Sequence, residues 1–476
     1  MSVAPDRYRS APCVPALGDG FFDVVAPAVF PTHELRYRNQ RAAARVGLDT
    51  LDTVEWERHF ATFAPLPDNL PSPLALRYHG HQFMTYNPGL GDGRGFLFAQ
   101  LRDAHDGRLL DLGTKGSGQT PYSRAGDGRL TLLGGVREVL ATEMLEALGV
   151  DTSKSFSLFE TGESLYRSDE QSPTRASVLV RLSHSHIRFG SFQRQAAEGN
   201  AERVQRLLDY TAEHYMPDLC DRTGAARVAA VFARICDHTA VLAASWMAAG
   251  FVHGVLNTDN MNVTGESFDY GPYRFLPTLD PEFVAAYFDA SGLYAFGRQP
   301  TMLAWNLEQL AHALTLVCEE HALHEGLRTF RPAFERAFRS KLLARLGLAP
   351  REPEWDQFLV EQVQAFLADS QVGYERFFFD WYGGLARAAT AAQSPDAAAY
   401  QRASFSRVRT HLEGYVPSHP ERLAHPYFQQ SQPCTLLIEE IEALWSAIAW
   451  RDDWSVFEAK LAEIATMRTA LQGEIA

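Results

Sequence analysis

The rhythm of apolar and polar positions changes part-way along the chain. In the first part the apolar runs are short. GRGFLFAQL and RLLDLGT read as two strands joined by RDAHDG, whose Asp106-Gly107 pair is a turn signal. SFSLFE and ASVLVRLS read as further strands. Between them, GGVREVLATEMLEALGV repeats Val136, Leu140, Met144 and Leu148 at helical spacing. A helical stretch is also expected near the start, in HELRYRNQRAAARVGL. From about residue 196 the pattern becomes mostly helical, as in AARVAAVFARICDHTAVLAASWMAAG and QPTMLAWNLEQLAHALTLV. No internal repeat, low-complexity tract or long linker interrupts it. The fold class expected is α+β, with a strand-containing N-terminal lobe over residues 1–192 and a helical C-terminal lobe over 193–476. A cleft between two such lobes is the default ligand site.

Composition narrows the choice of function. The 476 residues carry a formal net charge of -14, which disfavours a sequence-independent nucleic-acid binder but leaves room for a local basic pocket. Cys13, Cys220, Cys236, Cys318 and Cys434 are widely spaced, odd in number and lack a C-x-x-C pair, so neither a disulfide framework nor a zinc ribbon is expected. The opening MSVAPDRYRSAPCVPALGDG has no signal-peptide core, and the apolar stretch VLAASWMAAGFV is too short to span a bilayer. The expectation is a cytoplasmic protein with no membrane partner.

The candidate chemistry begins at HGVLNTDN, residues 253–260. Kinase catalytic loops run H-x-D-x-x-x-x-N, the Asp accepting a hydroxyl proton and the Asn holding a metal ion. His253 and Asn260 fit, but the third position is Val255, and the only Asp is Asp259. Other parts follow in kinase order. LGDGRG places Gly91, Gly93 and Gly95 before a strand, where backbone N–H groups can approach phosphate oxygens. Lys115 ends the next strand and Glu138 lies on the following helix, the positions of a kinase's phosphate-pairing lysine and its partner. Asp269 in FDYG stands where D-F-G carries its metal-binding Asp. Asn260 and Asp269 are hard oxygen ligands, suited to Mg²⁺ or Mn²⁺ rather than zinc.

KGSGQTPYSRAGDGR, a second glycine-rich basic segment, follows directly, and RLSHSHIRFG adds Arg181 and Arg188, whose guanidinium forks suit phosphate. This second segment has no counterpart in kinases. A Walker pattern, a G-x-S-x-G elbow and H-E-x-x-H are all absent. The pairs His79/His81 and His184/His186 lack a third metal ligand and are read as packing or hydrogen-bonding residues.

Together GHQF, LGDGRG, KGSGQTPYSRAGDGR, SHIRFGSF, FVHGVLNTDNM, FDYGP and YAFGRQPTMLAWNLEQLAHAL resemble the SelO/YdiU family of pseudokinase-fold protein adenylyltransferases. The resemblance covers roughly residues 65 to 325 and is weaker in the last third. It implies a protein-kinase-like bilobal fold binding ATP flipped relative to kinases, with AMP passed to a Ser, Thr or Tyr hydroxyl of a target protein. A carboxylate at Val255 would then not be needed. Residue by residue, it implies that Gly91, Gly93, Arg94, Lys115, Asp127, Gly128, Arg181 and Arg188 contact the nucleotide. It further implies that Glu138 orients Lys115, that Asn260 and Asp269 bind Mg²⁺ or Mn²⁺, and that Asp259 accepts the proton. Members often carry a C-terminal Cys or selenocysteine, whereas this chain ends MRTALQGEIA, so redox regulation through that residue is not expected. UMP transfer from UTP, phosphotransfer and an inert nucleotide-binding scaffold stay open as alternatives.

Overall fold

A computed structural model describes residues 3–4, 6–168 and 170–473; the start of the N-terminal run and the last three residues of MRTALQGEIA lie outside it. The strands are β1 (Phe22–Val24), β2 (Glu34–Arg38), β3 (Leu74–Leu76), β4 (Gly80–Gln82), β5 (Thr85–Asn87), β6 (Leu97–Arg102), β7 (Leu109–Lys115), β8 (Leu130–Thr131), β9 (Lys154–Leu165), β10 (Thr174–Ser183), β11 (Phe251–Val252) and β12 (Arg274–Phe275). One antiparallel sheet runs β1-β3-β6-β7-β10-β9-β2, with β8 also paired to β10. β4–β5 and β11–β12 are separate two-stranded pairs.

Sequence periodicity decides which sheet face carries chemistry. In β10, Val178, Val180 and Leu182 point into a core shared with Trp56, Phe60 and Phe156, while Leu179 and Arg181 point the other way. In β7, Leu110 and Leu112 join that first core; Leu109, Asp111, Gly113 and Lys115 therefore share the opposite face. The register sets Leu179 opposite Lys115 and Arg181 opposite Gly113, so Lys115 and Arg181 are neighbours on one face. The first core is closed by α1 (Gln40–Arg45) and α2 (Thr53–Phe60).

On the other face lies α3 (Leu132–Ala147), capped by Thr131, whose side chain accepts from Gly134 N. Val136, Leu140, Met144 and Leu148 are all buried there, as their spacing predicts. The same core continues into α4 (Phe189–Ala197), α5 (Ala201–Tyr215), α6 (Gly224–Ala249), α7 (Gln299–Leu314) and α8 (Glu320–Arg345). A further cluster packs α8 with α9 (Pro353–Ser370), α10 (Tyr374–Asp380), α11 (Ala388–Ala391) and α12 (Ala403–Leu412). Last come α13 (Ile438–Arg451) and α14 (Ser455–Gln472), the latter lying against α3. Three of the cysteines, Cys236, Cys318 and Cys434, are buried, while Cys220 is exposed.

Two expectations need correction. HELRYRNQRAAARVGL is not one helix: Glu34–Arg38 is the strand β2, paired to β9, and the helix begins only at Gln40. A register irregularity between Leu35 and Tyr37 sends Leu35 to one core and Tyr37 to the other, and Asn39 caps the helix by accepting from Ala42 N. Also, 241–252 is only part of a longer apolar element. α6 is long and apolar enough to cross a membrane by length and composition, yet most of its apolar window is buried, with Phe232, Ile235 and Trp246 inside the protein core.

Beneath the sheet, Glu266 is buried and accepts from His184 N at 2.8 Å. Burial, with Asp151 adding to it and Lys154 and Arg108 opposing, pushes its carboxyl from 4.5 to about 8. The folded state thus binds this proton more tightly than the unfolded chain, so this group's contribution to stability falls as pH rises from about 4.5 to about 8. Glu266→Gln keeps the acceptor without the ionisation. It should flatten the pH dependence over that window and raise stability near pH 8 by about 1–3 kcal/mol. Urea unfolding midpoints of both proteins across the window check this; an unchanged slope would refute it.

Candidate active site

The site is built on the sheet face that carries Lys115. Lys115 Nζ touches Glu138 Oε1 of α3 and lies 2.8 Å from Asp269 Oδ1. Asp269 is a non-glycine residue at φ 67, in the sparsely populated left-handed region. The segment before it is pinned by His253, whose Nε2–H donates to the Phe268 carbonyl at 3.2 Å. Burial holds His253 below its usual range, so the ring is a neutral donor packed against Trp246. The kinase-like first position of HGVLNTDN is therefore filled by a residue that aims the FDYG turn.

Two arginines complete the cluster. Arg181 Nη1 is 3.3 Å from Asp269 Oδ1 and Arg188 Nη1 is 3.2 Å from Oδ2. Enclosure by protein would raise the Asp269 carboxyl, but Lys115, Arg181 and Arg188 outweigh it and hold it well below the usual range. Arg188 also reaches Asp92 Oδ1 at 3.5 Å, donates to the Asp259 carbonyl at 2.7 Å, and lies over the rings of Tyr78 and Phe268. The Nε atoms of both arginines have no protein partner among the described residues.

The two glycine-rich segments form the opposite wall by packing on each other. A Cβ at Gly91 would sit 2.3 Å from the Tyr122 ring, and one at Gly93 2.9 Å from the Tyr122 carbonyl. Thr120 Oγ1 and Ser123 Oγ donate to the Asp92 and Gly93 carbonyls, and Gly116 N donates to the Arg94 carbonyl. Gly128, at φ 70, accepts from Gly118 N, and a Cβ there would lie 2.3 Å from Gly118. The walls enclose a cavity of about 560 Å³, within the range of small-molecule sites.

Gly91, Gly93, Arg94, Lys115, Asp127, Arg181, Arg188, Asp259 and Asp269 line this cavity. Glu138 lies behind Lys115, and Gly128 supports the loop from beneath. Asp259 occupies the short turn Thr258–Asn260; burial, opposed by Arg188 and reinforced by Asp269, pushes its carboxyl up to about 6. Its Oδ1 is buried with no hydrogen-bond partner among the described residues. Asn260 does not line the cavity; its Nδ2 donates to the Val255 carbonyl at 3.1 Å.

Sequence reasoning missed Tyr78, Gln82, Asp92 and Arg167 as lining residues. Asp92 stands inside LGDGRG and Gln82 inside GHQF, so their motifs marked them. Arg167, which pairs with Asp127 at 2.8 Å from the turn between β9 and β10, had no local signal. The paired histidines are engaged by protein: His79 with Tyr86, His81 with Gln193, His186 with Asp111, and His184 against Tyr215.

Comparison with known proteins bears on this arrangement. The family model described as protein adenylyltransferase SelO matches residues 7–465. The chain belongs to the SelO family. A Synechocystis protein named protein nucleotidyltransferase YdiU is 44% identical over 460 residues, covering 94% of this chain and 95% of its own. The Gloeobacter violaceus protein of that name is 45% identical over 455 residues, covering 94% and 92%. One from Vibrio cholerae is 38% identical over 364 residues, covering 76% and 72%. SelO membership puts the chain among the protein nucleotidyltransferases and extends the likeness through the C-terminal third.

The shared ion pair makes a test. Lys115→Met should lower nucleotidyl transfer by about 100-fold or more, and Glu138→Ala by about 10-fold, because the glutamate acts through the lysine. The double variant should be no worse than Lys115→Met alone. Initial transfer rates of the three folded variants decide it: fully additive losses mean that the two side chains work separately.

Proposed function

We propose that this chain is a protein adenylyltransferase with a kinase-like bilobal architecture, passing AMP from ATP to Ser, Thr or Tyr hydroxyls of cytoplasmic target proteins. The observation that carries the reading is the cluster of Lys115, Arg181 and Arg188 on one cavity wall, facing a wall built from two closely packed glycine-rich segments. Converging cations with nearby orphan donors suit an oligophosphate. Arg181, on β10, and Arg188, on the segment after it, add two cations to the lysine that a kinase uses, and in this reading they hold ATP flipped with its α-phosphate toward the acceptor.

In this reading the acceptor hydroxyl oxygen attacks the α-phosphorus and the bond to the bridging oxygen breaks. Pyrophosphate leaves, and the hydroxyl proton passes to Asp259. Lys115, Arg181 and Arg188 offset charge on the phosphate oxygens, while Glu138 keeps Lys115 in place. Asp269 serves poorly as a base, because its three cations hold it ionised with little affinity for a proton. The candidate ligands Asn260 and Asp269, like Asp259 with its buried unpartnered Oδ1, offer oxygen donors, a chemistry that suits Mg²⁺ or Mn²⁺. Asn260 and Asp269 would hold the ion, Asn260 by turning its amide. Among the described residues no three His, Cys, Asp or Glu side chains group as metal ligands, so phosphate oxygens would complete the shell. The ion would supply charge neutralisation at the departing pyrophosphate.

Transfer of UMP from UTP uses the same phosphate machinery. Labelling with α-labelled ATP, γ-labelled ATP and α-labelled UTP separates the readings. The sharpest variant is Val255→Asp, which restores the carboxylate of a kinase loop. It should not create γ-phosphate transfer, and should depress α-label transfer by adding negative charge beside Asn260. A clear gain of γ-label on protein would mean that the nucleotide sits as in kinases.

A further inference from the structure

The hairpin β4–β5 turns at Phe83-Met84, the two residues between paired Gln82 and Thr85. Both have positive φ, 49 for Phe83 and 61 for Met84. A two-residue turn of this kind favours Asn-Gly, and a Phe-Met pair there is strained. The strain holds two large apolar side chains outward: Phe83 is 38% exposed and Met84 46%. The Phe83 ring packs on Tyr294 at 4.9 Å and on Phe288 at 5.9 Å, and Phe288 packs on Tyr287, which is 79% exposed. Two chain segments just over two hundred residues apart thus build one exposed apolar patch.

The patch is fixed to the candidate active site. Phe83 N donates to Asn257 Oδ1 at 3.3 Å and to Tyr294 Oη at 3.0 Å, and His81 N donates to Thr258 Oγ1 at 2.7 Å. The hairpin therefore rests on the turn that carries Asp259. Gln82, one residue before Phe83, lines the cavity with Asp259. Gln82 Nε2 lies 3.5 Å from Asp259 Oδ2, so the patch begins one residue from a side chain in contact with Asp259. Methionine and aromatic side chains adapt to varied apolar partners.

We infer that Phe83, Met84, Tyr287 and Phe288 form the docking surface for the protein substrate, receiving a bulky apolar side chain close in sequence to the acceptor hydroxyl. The inference rests on the proposed function, because it needs a protein acceptor at this cavity. It gives the enzyme selectivity for an apolar residue beside the hydroxyl, and tolerance of that residue's shape.

The test replaces Phe83 by Asn together with Met84 by Gly, which suits the turn while removing the patch, and separately uses Tyr287→Ser. The probes are synthetic peptides with one Ser or Tyr and either Leu or Asp at each flanking position, assayed with α-labelled ATP. Wild type should favour the Leu-flanked peptides. Both variants should lose about 10-fold or more of kcat/KM on those peptides, mainly through KM, with the ATP-induced thermal shift unchanged. If wild type labels no peptide and no lysate protein, the proposed function falls and this inference with it. If wild type labels peptides without regard to their flanks, or the variants match it, the docking surface alone is overturned. It is likewise overturned if light scattering finds a wild-type dimer that the variants dissolve, which would assign the patch to a second copy of the chain.

Discussion

The rest of the structure depends on keeping Lys115, Arg181, Arg188, Glu138 and Asp269 together as a largely buried cluster. Lys115, Arg181, Arg188 and Glu138 are almost fully buried, and Asp269 is only about one-fifth exposed. Isolated charges there would cost several kcal/mol each, so none of them is tolerable without the others. The sheet supplies Lys115 and Arg181 on one face, α3 supplies Glu138, and the FDYG turn supplies Asp269. Such clusters are weak sources of stability, and removing one member leaves the others uncompensated. Three cations held around a single aspartate, with guanidinium Nε donors unsatisfied, is an arrangement that gains from an anionic ligand.

The surrounding structure holds α3, and so Glu138, at the required distance. Further along that helix, Glu143 accepts from Tyr37 Oη at 2.7 Å, Asn39 Nδ2 at 3.2 Å and Arg468 Nη1 at 2.7 Å. Glu146 pairs with Arg41, Lys154 and Arg468, whose charges outweigh its burial and bring its carboxyl down to about 2. Elements near both ends of the chain, β2 and α14, thus meet on one helix. These bonds tie the C-terminal region to the site without contacting it.

Much of this was legible in the sequence, for identifiable physical reasons. Val136, Leu140, Met144 and Leu148 announced α3 because a helix with one buried face must repeat at that spacing. Lys115 and Glu138 were legible through order alone, and the glycines because close backbone approach excludes a Cβ. The edge strand at Glu34–Arg38 was not legible. Its irregular register breaks the alternation that marks a strand, and the following QRAAAR is a good helix former that masks the boundary. Arg167 was hidden because its partner, Asp127, lies forty residues away and no local pattern links them. Asn260 was legible as a motif position, but its side-chain direction, toward the Val255 carbonyl, is set by the turn.

That direction bears on the missing carboxylate. In HGVLNTDN the third residue contributes only its backbone carbonyl, which holds the Asn260 amide. A valine serves this purpose, since any residue supplies that carbonyl. Among the described residues, Asp259, one residue before Asn260, makes no direct salt bridge, and its Oδ1 is buried and unpartnered. Moving the acidic group four positions along the loop changes which wall of the cavity it faces: Asp259 lies against Gly80 and the β4–β5 hairpin, where a Cβ at Gly80 would come within 2.9 Å of its Oδ1. A proton acceptor placed there addresses a hydroxyl arriving past that hairpin. Under the proposed function, the hairpin's strained apolar tip and Asp259 would together form the acceptor side of the site.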